Sequence, residues 1–189
     1  MKRAIWIAAL LLASALGVAG QATNVHGGGM LEGTSNLGFS NPIYGGTAGG
    51  DLRLGRLVIS GDVDVLRVKK TSGGPGYQAS ARETARFYVK PSFFVQAGAV
   101  EQHYSVRKFA KSSMQPFVGA GFVGPWGTAA ANFRQDTSSE NRSRVVEGVV
   151  SLYLPKHIYA RGTLAAESYK SGSGRSTGAA SSLALGLYF

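Results

Sequence analysis

The chain contains no cysteine. This absence excludes a disulfide framework, a thiolate metal site, a cysteine nucleophile and a lipid anchor on an N-terminal cysteine. Histidine is also scarce, with three residues at scattered positions, so no metal site is expected. The glycine-rich segments match no phosphate-binding motif, and we therefore expect no cofactor.

Charged residues and long apolar runs are few. Charged residues make up 16% of the 189 positions, and the mean hydropathy is +0.01. After the first apolar stretch, no segment is apolar over the roughly 20 residues that a transmembrane helix needs. Glycine, in contrast, occurs 27 times. Because glycine weakens helices but suits short strands and tight turns, the composition predicts an all-β fold.

Acidic residues are half as frequent as basic ones, 10 against 20, which leaves a formal net charge of +10. Such an excess can indicate nucleic-acid binding. The basic residues here form neither a run nor a helical stripe, and the chain begins with an export signal. We therefore expect no nucleic-acid partner.

The export signal occupies the first residues. Lys2 and Arg3 precede the apolar stretch AIWIAALLLASALGVAG, and cleavage is predicted after Gly20 or Ala22. We assign residues 1–22 to a signal peptide. A retained membrane helix is the alternative, but the stretch is short and no basic stop-transfer flank follows it.

Segments that alternate large apolar with small or polar residues recur along the rest of the chain. This period of two is that of a β-strand. Eight strands are predicted at residues 56–68, 80–90, 92–106, 115–123, 126–134, 144–154, 158–170 and 177–189. Polar loops of about ten residues alternate with short turns marked by proline or glycine, which is typical of bacterial membrane barrels.

Residues 23–55 are predicted to form an N-terminal strand pair or an extension of the barrel core at residues 56–189. Their two weak segments, residues 24–31 and 44–55, are rich in glycine, which is depleted in strands. The spacing of about 17 residues per strand nevertheless favours ten strands, with eight as the alternative. Both numbers predict a closed antiparallel transmembrane β-barrel.

Each predicted strand pairs an apolar face with a face that carries a few charges. These charges are mostly arginine, aspartate and glutamate, and the two signs nearly balance. Because unpaired buried charge is costly, this balance indicates an enclosed lumen. A solvated outer face is the alternative, for which more lysine is expected. The predicted lumen charge network comprises Asp62, Asp64, Arg82, Arg86, Glu147, Arg161 and Glu167.

The strand ends carry aromatic and basic residues. The aromatic residues are predicted to form two interface belts, one at each side of a membrane. At the short-turn side the belt comprises Phe87, Tyr88, Phe93, Phe94, Trp126, Tyr153, Tyr159, Tyr188 and Phe189. Near the loops, a basic rim is predicted to face lipopolysaccharide phosphates, with solvation of the loops as the alternative. The rim comprises Lys69, Lys70, Arg107, Lys108, Lys111 and Arg142.

The chain ends in LALGLYF, with apolar residues at every second position and a final phenylalanine. This ending resembles the C-terminal signature of bacterial outer-membrane proteins, and the pattern over residues 56–189 is similar to the small OmpA-like, OmpX-like and opacity-type barrels. The resemblance implies an outer-membrane location with lipid and lipopolysaccharide as partners. It also implies that Leu185, Leu187 and Phe189 form an assembly signature read by the barrel-assembly machinery. We expect a monomer.

One string suggests chemistry. In QHYSVR, His103 and Ser105 share a predicted strand face with Glu101, and a serine with a histidine base and a carboxylate can perform acyl transfer. The string H-Y-S resembles that of the lipid A deacylase barrels. There it lies near the C terminus and precedes Asn-Ala-Gly, whereas here several strands follow it.

These observations predict a non-enzymatic envelope or surface protein, because barrels of this size are normally filled by side chains. A small passive porin-like channel is the alternative. A lipid A-modifying acyl hydrolase is the more remote one.

Overall fold

A computed structural model describes residues 21–34, 43–71, 74–106, 109–136, 142–171 and 174–189. Ten strands make up nearly all of this part: β1 (Gln21–Thr34), β2 (Ile43–Leu54), β3 (Leu57–Thr71), β4 (Gly74–Lys90), β5 (Phe93–Val106), β6 (Phe109–Gly124), β7 (Gly127–Gln135), β8 (Arg142–Leu154), β9 (Ile158–Ser171) and β10 (Gly174–Tyr188). In the described ranges no helix is long and apolar enough to cross a membrane. The predicted signal peptide lies outside them, apart from the start of β1.

The strands form one closed antiparallel barrel. Each strand pairs with its neighbours in the chain, and β1 pairs with β10 to close the ring. At this seam the backbones of Val25 and Phe189 exchange two hydrogen bonds, of 3.2 and 2.7 Å. The prediction of a closed antiparallel barrel with ten strands is confirmed.

The glycine-rich strands β1 and β2 are full members of the barrel. Their ladder runs from Gln21 opposite Arg53 to Glu32 opposite Ile43. The low strand propensity of glycine costs little free energy. An unpaired backbone N–H or C=O group in lipid costs several kcal/mol, so pairing of these strands is favoured. This difference explains why spacing was a better guide to strand number than composition.

Two glycines face each other across the closing seam. Gly28 lies opposite Gly186 in the β1–β10 ladder. A Cβ atom on Gly28 would collide with the backbone of Leu185 and Gly186, and one on Gly186 would collide with the backbone of Gly27 and Gly28. The two strands therefore approach more closely here than side chains would allow.

The two ends of the barrel differ from the prediction in one respect. Short turns at residues 55–56, 91–92, 125–126 and 155–157 define what we call the short-turn end. At the other end, only two residues separate β3 from β4, β5 from β6, and β9 from β10. The prediction of long polar loops at these three places was wrong. Polar residues continue the ladders there, because backbone pairing does not depend on apolar side chains.

The barrel wall is mainly apolar outside and mainly polar inside. Leu164 is 70% exposed on the outer wall, and Leu183, Leu185 and Leu187 lie on the same wall. Glu147, in contrast, is 2% exposed inside the barrel. This inversion of the soluble pattern is that of a transmembrane barrel.

Several aromatic residues of the predicted belt at the short-turn end point inward instead. Tyr159 is buried and Tyr153 and Tyr188 pack against the core cluster that contains it. The ring centroids of Tyr153 lie 5.6 Å from Tyr159 and 5.2 Å from Tyr188. Phe94 is also fully buried. The belt prediction was wrong for these residues, which narrow the lumen near the short-turn end.

Candidate functional site: the barrel lumen

A first group of polar side chains joins opposite walls of the lumen. Arg161 on β9 reaches β3, although β2, β1 and β10 lie between them in the ring. Its Nη1 donates to Asp62 Oδ1 at 2.9 Å, and its Nη2 donates to Asp64 Oδ1 at 2.6 Å. Nη2 also lies 3.2 Å from Thr47 Oγ1. We call Arg161, Asp62, Asp64, Thr47 and His26 the first network.

His26 extends the first network to β1. Its Nε2 lies 2.9 Å from Asp62 Oδ1, the same oxygen that accepts from Arg161. Its ring stacks on Tyr159, with centroids 4.2 Å apart. Its Nδ1 is buried without a hydrogen-bond partner. The network thus connects the charged middle of the lumen to the aromatic residues near the short-turn end.

A second group centres on Glu147 of β8, whose side chain is 1% exposed. Oε1 accepts from Arg82 on β4 at 2.6 Å and from Asn132 on β7 at 3.1 Å. Oε2 lies 3.2 Å from Arg134 Nη2. Both oxygens of a carboxylate buried among protein groups are thereby satisfied, as buried charge requires.

Amide side chains extend this second group around the wall. Asn132 Oδ1 accepts from Gln96 Nε2 at 2.6 Å, and Gln96 Oε1 accepts from Arg86 Nε at 3.3 Å. Arg134 Nη1 donates to Gln115 Oε1 at 2.9 Å. We call the whole set the second network: Glu147, Arg82, Arg86, Arg134, Asn132, Gln96 and Gln115.

The two networks carry opposite excess charge. The first contains one arginine and two aspartates, and the second contains three arginines and one glutamate. The first draws mainly on β1–β3 and the second on β4–β8. The lumen therefore has a more acidic wall facing a more basic wall, and the pairs that bridge it restrict the free cross-section.

Space nevertheless remains between the networks. A cavity of about 660 Å³ is lined by residues of both networks, and it extends to Trp126 in a turn of the short-turn end. Among its described lining residues, His26 Nδ1 and Arg134 Nε are buried without a hydrogen-bond partner, and Ser60 Oγ has only the Asp51 carboxylate beside it. Buried polar groups without partners are rare in folded proteins, so these atoms give the cavity a polar lining.

The structure brings five of the seven predicted lumen residues into ion pairs. Asp62 and Asp64 pair with Arg161, and Arg82 pairs with Glu147. The other two behave differently. Arg86 lies over the Phe94 ring at 4.6 Å and bonds Gln96, and Glu167 lines the cavity.

Sequence reasoning missed His26, Arg134, Asn132, Gln96 and Thr47. Arg134 follows Asn132 at the two-residue period of β7, so the alternation of that strand could have placed both inward. The neutral residues carry no charge signal. Their role depends on which strand lies across the lumen, and this follows only from the closed ring.

The predicted basic rim lies outside the described part of the chain. Arg107 and Lys108 are outside the described residues, and so are the side chains of Lys69, Lys70, Lys111 and Arg142. The rim therefore stays a prediction. The three residues of the predicted assembly signature lie on the outer wall: Leu185 and Leu187 are half-exposed, and Phe189 is 78% exposed. Their role in assembly stays a prediction.

The predicted acyl-transfer residues lie on the outer wall as well. His103 Nδ1 lies 2.8 Å from Ser112 Oγ on β6, and its ring centroid is 5.9 Å from that of Tyr77. Glu101 is exposed on the same face of β5. The hydroxyl that His103 bonds is thus that of Ser112, not that of Ser105.

The chain matches no protein-family model and no curated protein. Among solved structures, the crystal structure of Neisserial surface protein A (NspA) resembles it, with 11% sequence identity and a TM-score of 0.40. The likeness covers 87% of this chain and 94% of that chain. The fold described above rests on the topology and the two faces of the barrel itself.

Proposed function

We propose that this chain is a non-enzymatic surface protein of a bacterial outer membrane, with a lumen closed by its own side chains. The observation that carries the proposal is the bridging of the lumen by ion pairs. Arg161 joins β9 to β3, and Arg82 joins β4 to Glu147 on β8. Because these charged groups form ion pairs with each other across the lumen, they are not free to bind water and ions along an open path.

Three features support the location. The outer wall is apolar, the strand number is even, and the predicted export signal directs the chain out of the cytoplasm. Lipopolysaccharide and the barrel-assembly machinery are the partners we propose. The first would contact the predicted basic rim and the second the terminal residues Leu185, Leu187 and Phe189.

Single-channel recording in a planar bilayer tests the proposal. We expect the purified, refolded barrel to give no steady conductance steps, with folding checked by heat-modifiable gel mobility. Asp62→Asn should remain silent but unfold at a lower urea concentration, because it removes the carboxylate that Arg161 and His26 share. Steady steps from the folded wild-type barrel would contradict the closed lumen.

A passive channel is the second candidate, and the cavity of about 660 Å³ between the networks favours it. Conduction would require some of the bridging pairs to separate. In that case Asp62→Asn should change the ratio of cation to anion permeability, since it removes a negative charge from the acidic wall. The same recordings therefore separate the two candidates.

A further inference from the structure

Among the described residues, three inward charges remain without an ion-pair partner near the short-turn end: Asp51, Arg86 and Arg53, of which Arg53 is exposed and donates to the Gly55 carbonyl at 3.2 Å. Asp51 on β2 and Arg86 on β4 both line the lumen cavity. Neither forms an ion pair with any residue in the described ranges. Each lies three or four residues from the short-turn end of its strand, so both lie near the same end of the barrel.

A buried hydroxyl lies beside them. Ser60 is 7% exposed, lines the same cavity and stands opposite Asp51 in the β2–β3 ladder. Its Oγ lies beside the Asp51 carboxylate and has no other hydrogen-bond partner among the described residues. In the β3–β4 ladder Ser60 stands opposite Thr84, and Arg86 is the next inward residue of β4, so Asp51 and Arg86 lie two strands apart on the same wall. Tyr153 lines the same cavity. Asp51, Ser60, Arg86 and Tyr153 therefore surround one part of the cavity, which we call the lower lumen.

We propose that the lower lumen is a binding site for a small zwitterionic solute. The carboxylate of the solute accepts hydrogen bonds from Arg86, its ammonium group donates to Asp51, and Ser60 Oγ bonds either end. A half-buried carboxylate and a half-buried guanidinium that lack an ion-pair partner carry charge at a cost, and a solute with both complementary charges pairs with the two groups together. A solute with one charge would leave the other protein group unpaired.

The geometry restricts the solute class further. Asp51 and Arg86 are held on separate strands, and Arg86 is restrained by its hydrogen bond to Gln96 and its contact with Phe94. The distance between the two charges of the solute must therefore match a nearly constant separation. Aromatic rings narrow the lumen at this level, which favours a short chain over a bulky one.

Isothermal titration calorimetry on the refolded barrel in detergent tests this proposal. The probes are glycine, β-alanine and 4-aminobutyrate, in which the two charges lie progressively farther apart. Ethylamine and propionate serve as probes with a single charge. We expect saturable binding, with one of the three zwitterions bound most tightly. The single-charge probes should bind at least about tenfold more weakly than that zwitterion.

Variants assign the binding to the lower lumen. Asp51→Asn and Arg86→Gln should each weaken binding of the preferred probe about tenfold or more. Ser60→Ala keeps the charges and should weaken it less. The matched control is Glu83→Gln, which removes a carboxylate on the exposed outer face of β4 and should leave affinity unchanged.

Three results would overturn the proposal. The first is the absence of saturable binding for all three zwitterions at millimolar concentrations. The second is equal binding of the single-charge probes, and the third is unchanged affinity in folded Asp51→Asn. If that variant fails to fold, the spacing preference of the wild-type barrel and the effect of Ser60→Ala decide the question. The inference does not depend on whether the lumen conducts.

Discussion

Replacing Glu147 by glutamine tests whether the second network stabilises the barrel. The change keeps the shape of the side chain but removes the charge that Arg82 and Arg134 share. The carboxylate is 1% exposed and accepts at 2.6 and 3.1 Å on one oxygen, with Arg134 at 3.2 Å from the other. After the change, two guanidinium groups face each other without a carboxylate between them.

The magnitude follows from burial. Removing one partner of a buried ion pair costs about 3–5 kcal/mol. Arg82 is 22% exposed at its side chain and can take some solvation from the lumen, so we expect the lower part of that range. The free energy of unfolding should therefore fall by about 3 kcal/mol.

Equilibrium urea unfolding in lipid vesicles, followed by Trp126 fluorescence, measures this loss. Glu101→Gln is the matched control, because Glu101 is an exposed carboxylate on the outer wall. We expect that variant to change stability by less than about 0.5 kcal/mol. A loss below about 1 kcal/mol for Glu147→Gln would refute the reasoning, because it would mean that lumen water replaces the ion pairs.

Two further substitutions test the outer wall and the seam. Leu164→Arg places a charge at the most exposed leucine of the wall and should destabilise the barrel in vesicles by about 2–4 kcal/mol, whereas Ser92→Arg in a turn should not. Equal effects of the two would argue against a lipid-facing wall. Gly186→Val should abolish heat-modifiable mobility, because its side chain collides with β1, whereas Gly148→Val enters open space and should keep it. A folded Gly186→Val barrel would show that the seam tolerates side chains.

The alternation of apolar and polar residues predicted the strands and their faces well. In β8 and β10, for example, residues such as Val146 and Leu185 lie outward as the pattern indicates. The lengths of the strands at the end opposite the short turns were underestimated, since Lys69 and Thr71 belong to β3 although their sequence is that of a loop. The alternation of apolar residues indicates which part of a strand contacts lipid. The hydrogen-bonded ladder between two strands continues farther, as long as their backbone groups find partners.

The lumen partners could be predicted only in part. Charge balance identified Asp62, Asp64 and Arg161 as inward residues, but no periodicity on one strand tells which strand lies across the lumen. The alternation also could not distinguish an aromatic ring in lipid from one in the lumen. Tyr159 lies two residues before Arg161 on β9 and points into the lumen. Because residues two apart on a strand share a face, the predicted inward position of Arg161 could have placed Tyr159 inward as well.

The pairing of β1 with β10, which includes the hydrogen bonds between Val25 and Phe189, closes the ring. Every strand therefore has a hydrogen-bonded neighbour on both sides. In an open sheet an edge strand can fray alone, but here the loss of any strand breaks two ladders and leaves two rows of bare amides and carbonyls in hydrocarbon. Partial unfolding within the bilayer therefore has no low-energy intermediate. When the barrel refolds in vitro, without the assembly machinery that we propose reads the C-terminal residues, the position of the chain ends is then a matter of connectivity only. In such refolding, a circular permutant that joins the end of β10 to the start of β1 and opens the chain at residues 155–157 should close into the same ring.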